Sequence, residues 1–382
     1  PEDRISSGIV TFFTLAVAEE QILSLMPRII AGSEQENKVI LPRFDVLVPS
    51  TVEMACAMLT NHIDQGVRIL AGGTDLLVDL RRPIIAQHVP RCDGCPAHPD
   101  GNILTTIECS PPKTDPLMPS GGSIRATMAK EQGASPAYLL SLHKLNDLKG
   151  IEKLQDGSLR IGALTTISEI ERSEDVRRGW AALAEGADHL GSPLVRNRGT
   201  LGGNIANARP AADTAVPTIA LGGSLTLRSL SGTRTILAKD FPRGPGLSVI
   251  KSDEILTEIR YPPSVAYSGS AYYKLANRKV LEISTVGVAV WLALEKPGGP
   301  VSDVRVALGA VGPTPILAES VRGILVGKIP DEARLLKAAG AACSDARPID
   351  DHRGSAWYRI KMVELLTLRL LRIVLKRIED NQ

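Results

Sequence analysis

The sequence predicts an α+β protein of two or three domains, and three observations support this. Its 382 residues are 43% hydrophobic and 23% charged, enough to bury substantial cores and to rule out disorder as the main state. From residue 41 onward, strand, glycine turn and helix follow one another, whereas the last third runs strands first and helices after. Gly 34 and Pro 26 stand against only 3% aromatics, a composition that favours tight turns and small-residue packing over aromatic platforms. Glycine-rich turns are therefore the places to look for chemistry.

Residues 1–40 carry Ser, Glu and Gln around apolar patches and read as an N-terminal extension that packs on something larger. Gly8 to Ala18 has the length of a signal-peptide core, but Pro1-Glu2-Asp3 ahead of it carries the wrong charge for an n-region. No run reaches the roughly 18 to 20 apolar residues of a membrane span, so a soluble, cytoplasmic protein is expected. Lys+Arg of 44 against Asp+Glu of 42 gives a net charge of +2, too balanced for a protein that grips a nucleic-acid backbone.

The regular pattern begins at Leu41. Ser50-Thr51-Val52-Glu53 reads as a capped helix start running through Met54, Ala55, Met58 and Leu59. Val67 to Ala71 reads as a buried strand stopped by Gly72-Gly73-Thr74, and helical spacing resumes from Asp75 to Arg82 until Pro83. Residues 84–136 lack periodicity, and an unpatterned stretch of that length is usually functional or anchored. Beyond it come the strand Leu159 to Ala163, helical segments at Ile167 to Val176 and Gly179 to Leu190, and the densest glycine region, Gly199 to Asn204. Strands at Ser224 to Arg228 and Glu254 to Tyr261 close this unit. After Pro262-Pro263, strands are expected at Ala271 to Leu275, Ser284 to Leu294 and Val301 to Leu308. Helices follow at Ala318 to Val326, Asp331 to Ser344 and Ala356 to Ile378, the last a packed helix with a basic outer face.

Two segments can carry chemistry. In Ile69-Leu70-Ala71-Gly72-Gly73-Thr74-Asp75-Leu76, the paired glycines let consecutive backbone N–H groups converge at the head of a helix, a cradle for phosphate. The spacing is not the G-x-G-x-x-G of a nicotinamide-binding unit, and a Gly-Gly turn alone also serves as punctuation. The second segment runs from Ser192 to Asp213 and holds Gly199, Gly202 and Gly203 with Thr200, Asn204 and Asp213. Its glycines permit close backbone approach, Thr200 and Asn204 can donate to phosphate or ring oxygens, and Asp213 can accept from sugar or ribityl hydroxyls. That set suits a long, hydroxylated, phosphorylated ligand.

AGGTDLL at 71–77 and RNRGTLGGNIANARPAAD at 196–213 resemble the two flavin-binding motifs of the FAD subunit of molybdenum hydroxylases, the xanthine dehydrogenase and carbon monoxide dehydrogenase family. The likeness continues through DEILTEI at 253–259, YKL at 273–275, VALGAV at 306–311, PTP at 313–315 and DDHRGS at 350–355, covering about 41 to 378. It implies a two-lobed FAD-binding domain of the PCMH type at 41–262, with lobes near 41–140 and 141–262. An α+β C-terminal domain of the CO dehydrogenase flavoprotein type would follow at 263–382. By motif, the FAD pyrophosphate would lie against Ala71 to Leu76, with Ile69 and Leu70 leading into the turn. Thr200, Gly203, Asn204 and Asp213 would serve the second lobe, Leu190 and Leu256 would line the pocket, and Lys274 would sit near the flavin's polar edge. A lysine there would stabilise the anionic reduced flavin.

The insertion at 84–136 departs from the family pattern. Cys92-x-x-Cys95, on a turn through Asp93-Gly94, with Cys109 further on can grip a metal or one edge of a [4Fe–4S] cluster; free thiols are the alternative. No fourth cysteine is placed to complete the set, although His88 and His98 flank the pair. Some members of the family it resembles, those that reduce aromatic CoA thioesters, carry an extra iron–sulfur cluster in this subunit, but their cysteines follow the second glycine motif, whereas these precede it. Cys56 and Cys343 fall in helical patterns and are expected in cores.

The resemblance implies an electron-transfer subunit with no catalytic residues of its own. FAD would receive electrons from [2Fe–2S] clusters in a partner and pass them to an external acceptor. A separate molybdopterin-binding large subunit would act on substrate, in a heterotrimer or its dimer. A stand-alone FAD oxidase or dehydrogenase of the vanillyl-alcohol-oxidase-type fold, and a flavin-binding assembly protein without turnover, are the alternatives.

Overall fold

In this computed structural model, residues 41–81, 136–278 and 281–380 are described. The extension at 1–40 and the inserted Cys92, Cys95 and Cys109 lie outside them.

Short apolar runs make the first sheet: β1 (Asp45–Leu47), β2 (Val67–Leu70) and β3 (Tyr138–Ser141), all parallel, in the order β1-β3-β2. Parallel strands need a crossover, and the helix Val52–Asn61 supplies the one from β1 to β2, which flank β3. Thr51 caps that helix, its hydroxyl accepting from the Met54 amide at 3.1 Å. Val52, Ala55, Cys56 and Leu59 form one helical stripe, buried against Leu140, Leu142, Leu145 and Leu148.

The second sheet is antiparallel. It comprises β4 (Ile151–Lys153), β5 (Leu159–Gly162), β6 (Ser224–Ser229), β7 (Gly232–Leu237) and β10 (Ile255–Tyr261), ordered β4-β5-β10-β6-β7. A small hairpin of β8 (Pro242–Gly244) and β9 (Leu247–Ser248) precedes β10. The sequence reading had no strand at β7, whose largely exposed Gly-Thr-Arg-Thr run carries little apolar signal; pairing with β6 makes it an edge strand. Ile167–Arg172 and Glu174–Gly179 are two helices where one was expected. Ser173 adopts extended backbone angles, and its hydroxyl accepts from the Val176 amide, ending one helix and starting the next.

The C-terminal sheet, β11 (Ser268–Leu275), β12 (Val286–Leu294), β13 (Val301–Gly309) and β14 (Ile316–Leu317), is antiparallel in that order. Period-two alternation gives it two faces. Val288, Val290 and Leu292 with Val304, Val306 and Leu308 meet Val363, Leu366, Leu370 and Val374 of the helix Ala356–Asp380, while the helix Glu332–Asp345 completes that core. Leu365, on the same long helix, is exposed. On the other face, Ala289 and Ala307 are small enough for the helices Ala181–Asp188 and Ala215–Ala220 to pack closely, so the two domains share one core. Each fully buried Leu or Val contributes about 1.5–3 kcal/mol, and this shared core sets the relative position of the two domains. Cys56 is buried and Cys343 half-buried. Among the described residues, no helix is long and apolar enough to cross a membrane.

Candidate functional site

Strand β2 ends at Leu70, residues 71–75 form a turn, and 76–81 are helical. Gly73 has a φ of 75°, a left-handed conformation that glycine adopts without strain. Gly72 touches the second motif directly: a Cβ on it would stand 2.0 Å from the Arg198 carbonyl oxygen and 3.0 Å from Gly199 Cα. Two motifs distant in sequence thus meet backbone to backbone.

The second motif folds as a short helix, Leu201–Ala206, with Gly202 and Gly203 inside it. Thr200 caps it, Oγ1 accepting from the Gly203 amide at 3.1 Å. The Ile167 amide donates to the Gly199 carbonyl at 2.9 Å and pins the segment to the neighbouring helix. The guanidinium of Arg209 lies 3.4 Å from Asp79 Oδ2, tying the loop after this helix to the helix at 76–81.

A cleft of about 1280 Å³ opens where the two motifs meet. Ile69, Ala71, Gly72, Gly73, Thr74, Asp75, Leu76, Leu190, Thr200, Gly203, Asn204, Asp213 and Leu256 line it; Leu70 and Lys274 do not. Small-ligand clefts run to about 300–1000 Å³, so this one has room for a ligand of dinucleotide size. Its wall is apolar at Ile69, Leu190 and Leu256 and polar at Thr200, Asn204 and Asp213. That composition fits FAD, which has a flat ring at one end and hydroxyls and phosphates along its length.

Lys274 stands behind the wall and reaches the cleft through Asp213. Its Nζ donates to Asp213 Oδ2 at 2.7 Å and to the His189 carbonyl at 3.1 Å. Asp213 Oδ1 accepts from Tyr272 Oη and Ser284 Oγ, both at 3.0 Å. An ionised carboxylate offers about four acceptor positions, so one remains for a ligand hydroxyl. Burial pushes the Asp213 carboxyl above its ordinary value, with Lys274, Tyr272 and Ser284 pulling the other way. Burial and then the Asp213 charge hold the Tyr272 phenol far above its own, so it stays a donor. Sequence reasoning missed Tyr272 and Ser284. The only available signal was period two on β11, which puts Tyr272 on the same face as Lys274.

Asn204 has a second task. Its Oδ1 accepts from the Thr214 hydroxyl at 2.6 Å and from the Thr214 amide at 3.3 Å, holding the loop that carries Asp213. Glu254, also on the cleft wall, is gripped bidentately by Arg234 at 2.6 and 2.7 Å. That hydrogen bonding keeps its carboxyl below its ordinary value. The DDHRGS segment brings Asp351 and Arg353 to the cleft lining, where Arg359 donates to Asp351 Oδ1 and to the Ala310 carbonyl. Among the described residues, no group of three His, Cys, Asp or Glu could hold a metal ion.

Residues 108–264 match the family model for the FAD binding domain in molybdopterin dehydrogenase, and 271–374 match that of the CO dehydrogenase flavoprotein C-terminal domain. The chain is 33% identical over 261 residues to the glyceraldehyde dehydrogenase medium chain of Sulfolobus acidocaldarius, covering 68% of this chain and 90% of that one. To the carbon monoxide dehydrogenase medium chain of Hydrogenophaga pseudoflava it is 34% identical over 258 residues, 68% of this chain and 88% of that one. A solved structure of carbon monoxide dehydrogenase from Hydrogenophaga pseudoflava superposes with a TM-score of 0.71 at 28% identity, covering 89% of this chain and 99% of that one. With the cleft's composition and both domains matched in order, the chain belongs to the FAD-binding medium subunits of the molybdenum hydroxylase family and is an FAD-dependent oxidoreductase subunit.

Proposed function

We propose that the cleft holds FAD with its pyrophosphate against Ala71 to Leu76 and its ribityl and ring portion toward Thr200, Gly203, Asn204 and Asp213. The observation that carries this reading is the backbone contact of Gly72 with Arg198 and Gly199, which joins both glycine motifs at the head of one large cleft. FAD supplies conversion between one-electron and two-electron transfer. The chain's residues bind and orient it. Leu190 and Leu256 exclude water, Asp213 accepts from a hydroxyl, and Lys274 holds Asp213 in place.

The electrons would come from [2Fe–2S] clusters of a small partner subunit, substrate oxidation would occur on a molybdopterin-binding large subunit, and the three chains would assemble as a heterotrimer or its dimer. The shared core between the two domains supports a rigid relay platform. Asp213→Ala and Gly203→Val should empty the flavin site, one by removing a hydroxyl acceptor and the other by placing side-chain atoms within 2.9 Å of Thr200 Oγ1. Normal FAD content in both variants would overturn the placement. Direct anaerobic flavin reduction by an organic substrate in the isolated chain would favour the stand-alone oxidase reading instead. Iron and sulfide analysis decides the role of Cys92, Cys95 and Cys109: a cluster requires stoichiometric iron in the isolated chain, and free thiols require none.

A further inference from the structure

A second cavity, of about 320 Å³, lies away from the flavin cleft at the junction of the two domains. One wall comes from the end of the helix Ala215–Ala220 and the turn after it, with Gly222, Gly223 and Lys239. The other comes from Arg305 on the C-terminal sheet and from Glu319 and Arg322 in the helical segment after β14. Arg305, on β13, lies over Trp291, its cross-strand partner on β12, with the guanidinium carbon 3.9 Å from the ring centroid. The guanidinium fills space that Gly222 leaves open: a Cβ there would stand 1.9 Å from Arg305 Nη1.

Arg305 is held without being satisfied. Its side chain is 19% exposed, yet its buried Nε has no hydrogen-bond partner among the described residues. Its nearest acid, Asp303, approaches no closer than 3.8 Å, beyond hydrogen-bond range. Asp303 is already engaged, bonding Arg322 at 3.0 Å and accepting from the Val304 amide at 2.9 Å. Lys239, near Asp240 at 3.8 Å, adds a third cation to the lining. Three cations thus surround the cavity, against Glu319 on its lining and Asp303 and Asp240 beside it. The Nε is sealed from the cavity, so the outer nitrogens of the guanidinium, with Nη1 against Gly222, are the ones an occupant would meet, and a forked donor set matches the oxygens of a phosphate.

We propose that this junction cavity is a binding site for a phosphate group, carried by free inorganic phosphate or by a small phosphomonoester, with Arg305 as its base and Arg322 and Lys239 at its rim. Such an occupant bridges the FAD-binding domain and the C-terminal sheet. The proposal does not depend on where FAD lies.

The test uses the full chain with FAD bound, titrated at constant ionic strength with inorganic phosphate, with β-glycerophosphate and with acetate, while tryptophan fluorescence is followed. Trp291 beneath the guanidinium is the reporter. A saturable change with a phosphate probe is expected, lost in Trp291→Phe and shifted at least tenfold in half-saturation in Arg305→Met. β-Glycerophosphate acting at lower concentration than inorganic phosphate identifies a phosphomonoester as occupant, and the reverse identifies free phosphate. Arg322→Gln and Lys239→Gln carry the same comparison should Arg305→Met fail to fold, since both side chains stand at the exposed rim; each should raise half-saturation about threefold. Equal titrations in wild type and variants, or an acetate response matching that of phosphate, would overturn the proposal.

Discussion

Gly72→Ala tests the contact on which the site is built. The added methyl would stand 2.0 Å from the Arg198 carbonyl oxygen, 2.8 Å from its carbonyl carbon and 3.0 Å from Gly199 Cα. Carbon–oxygen contacts settle near 3.3–3.6 Å, so the two motifs must part by more than about 1 Å. Both obstacles are backbone, and the Arg198–Gly199 segment is anchored by the bond from the Ile167 amide, so no rotamer change relieves the clash. Overpacking of this kind costs about 1–3 kcal/mol, and at about 2–4 °C per kcal/mol the melting temperature should fall by about 2–12 °C. The same displacement widens the cleft head, so FAD content should fall with it. Differential scanning fluorimetry, with absorbance of the flavin released on denaturation, reads both effects. Gly340→Ala is the matched control, since its Cβ would meet nothing within 4 Å. A Gly72→Ala protein with wild-type melting temperature and a full complement of flavin would refute the reasoning.

Gly340 is exposed within the helix Glu332–Asp345, so Gly340→Ala should stabilise the chain by about 0.5–1 kcal/mol, read as a raised melting temperature at unchanged FAD content. Lys274→Met removes the ammonium from a buried carboxylate; FAD affinity measured by fluorescence quenching should weaken at least tenfold, and unchanged affinity would separate Asp213 from the flavin. Glu254→Gln should lower stability by about 1–3 kcal/mol at neutral pH by weakening the bidentate bond to Arg234. Because Arg234 holds the folded carboxyl below its ordinary 4.5, the stabilisation is complete above that value and is lost as pH falls through the folded one. The gap in melting temperature between wild type and variant should therefore close on acidification, and a gap independent of pH would contradict the assignment.

Local signals in the sequence determined much of this protein. Thr51 before an apolar stripe marks a helix start, and the alternating valines of β12 and β13 mark a two-faced sheet. The pair of glycine motifs pointed to a cradle for a phosphorylated ligand, because backbone approach is encoded by a missing side chain wherever it occurs, and their resemblance to the family's motifs implied flavin. Signals of other kinds were hidden. The edge strand β7 carries little apolar residue pattern, and the helix break at Ser173 is a choice between two backbone conformations that nothing in the local composition forces.

Only the tertiary structure decided how the residues of the site touch one another. It set Gly72 on Arg198, turned Lys274 toward Asp213, and recruited Tyr272 and Ser284, which no motif names. The physical reason is range. Caps, turns and periodicity are written within a few neighbouring residues, whereas a buried ion pair or a cleft wall depends on which distant segments the apolar cores press together.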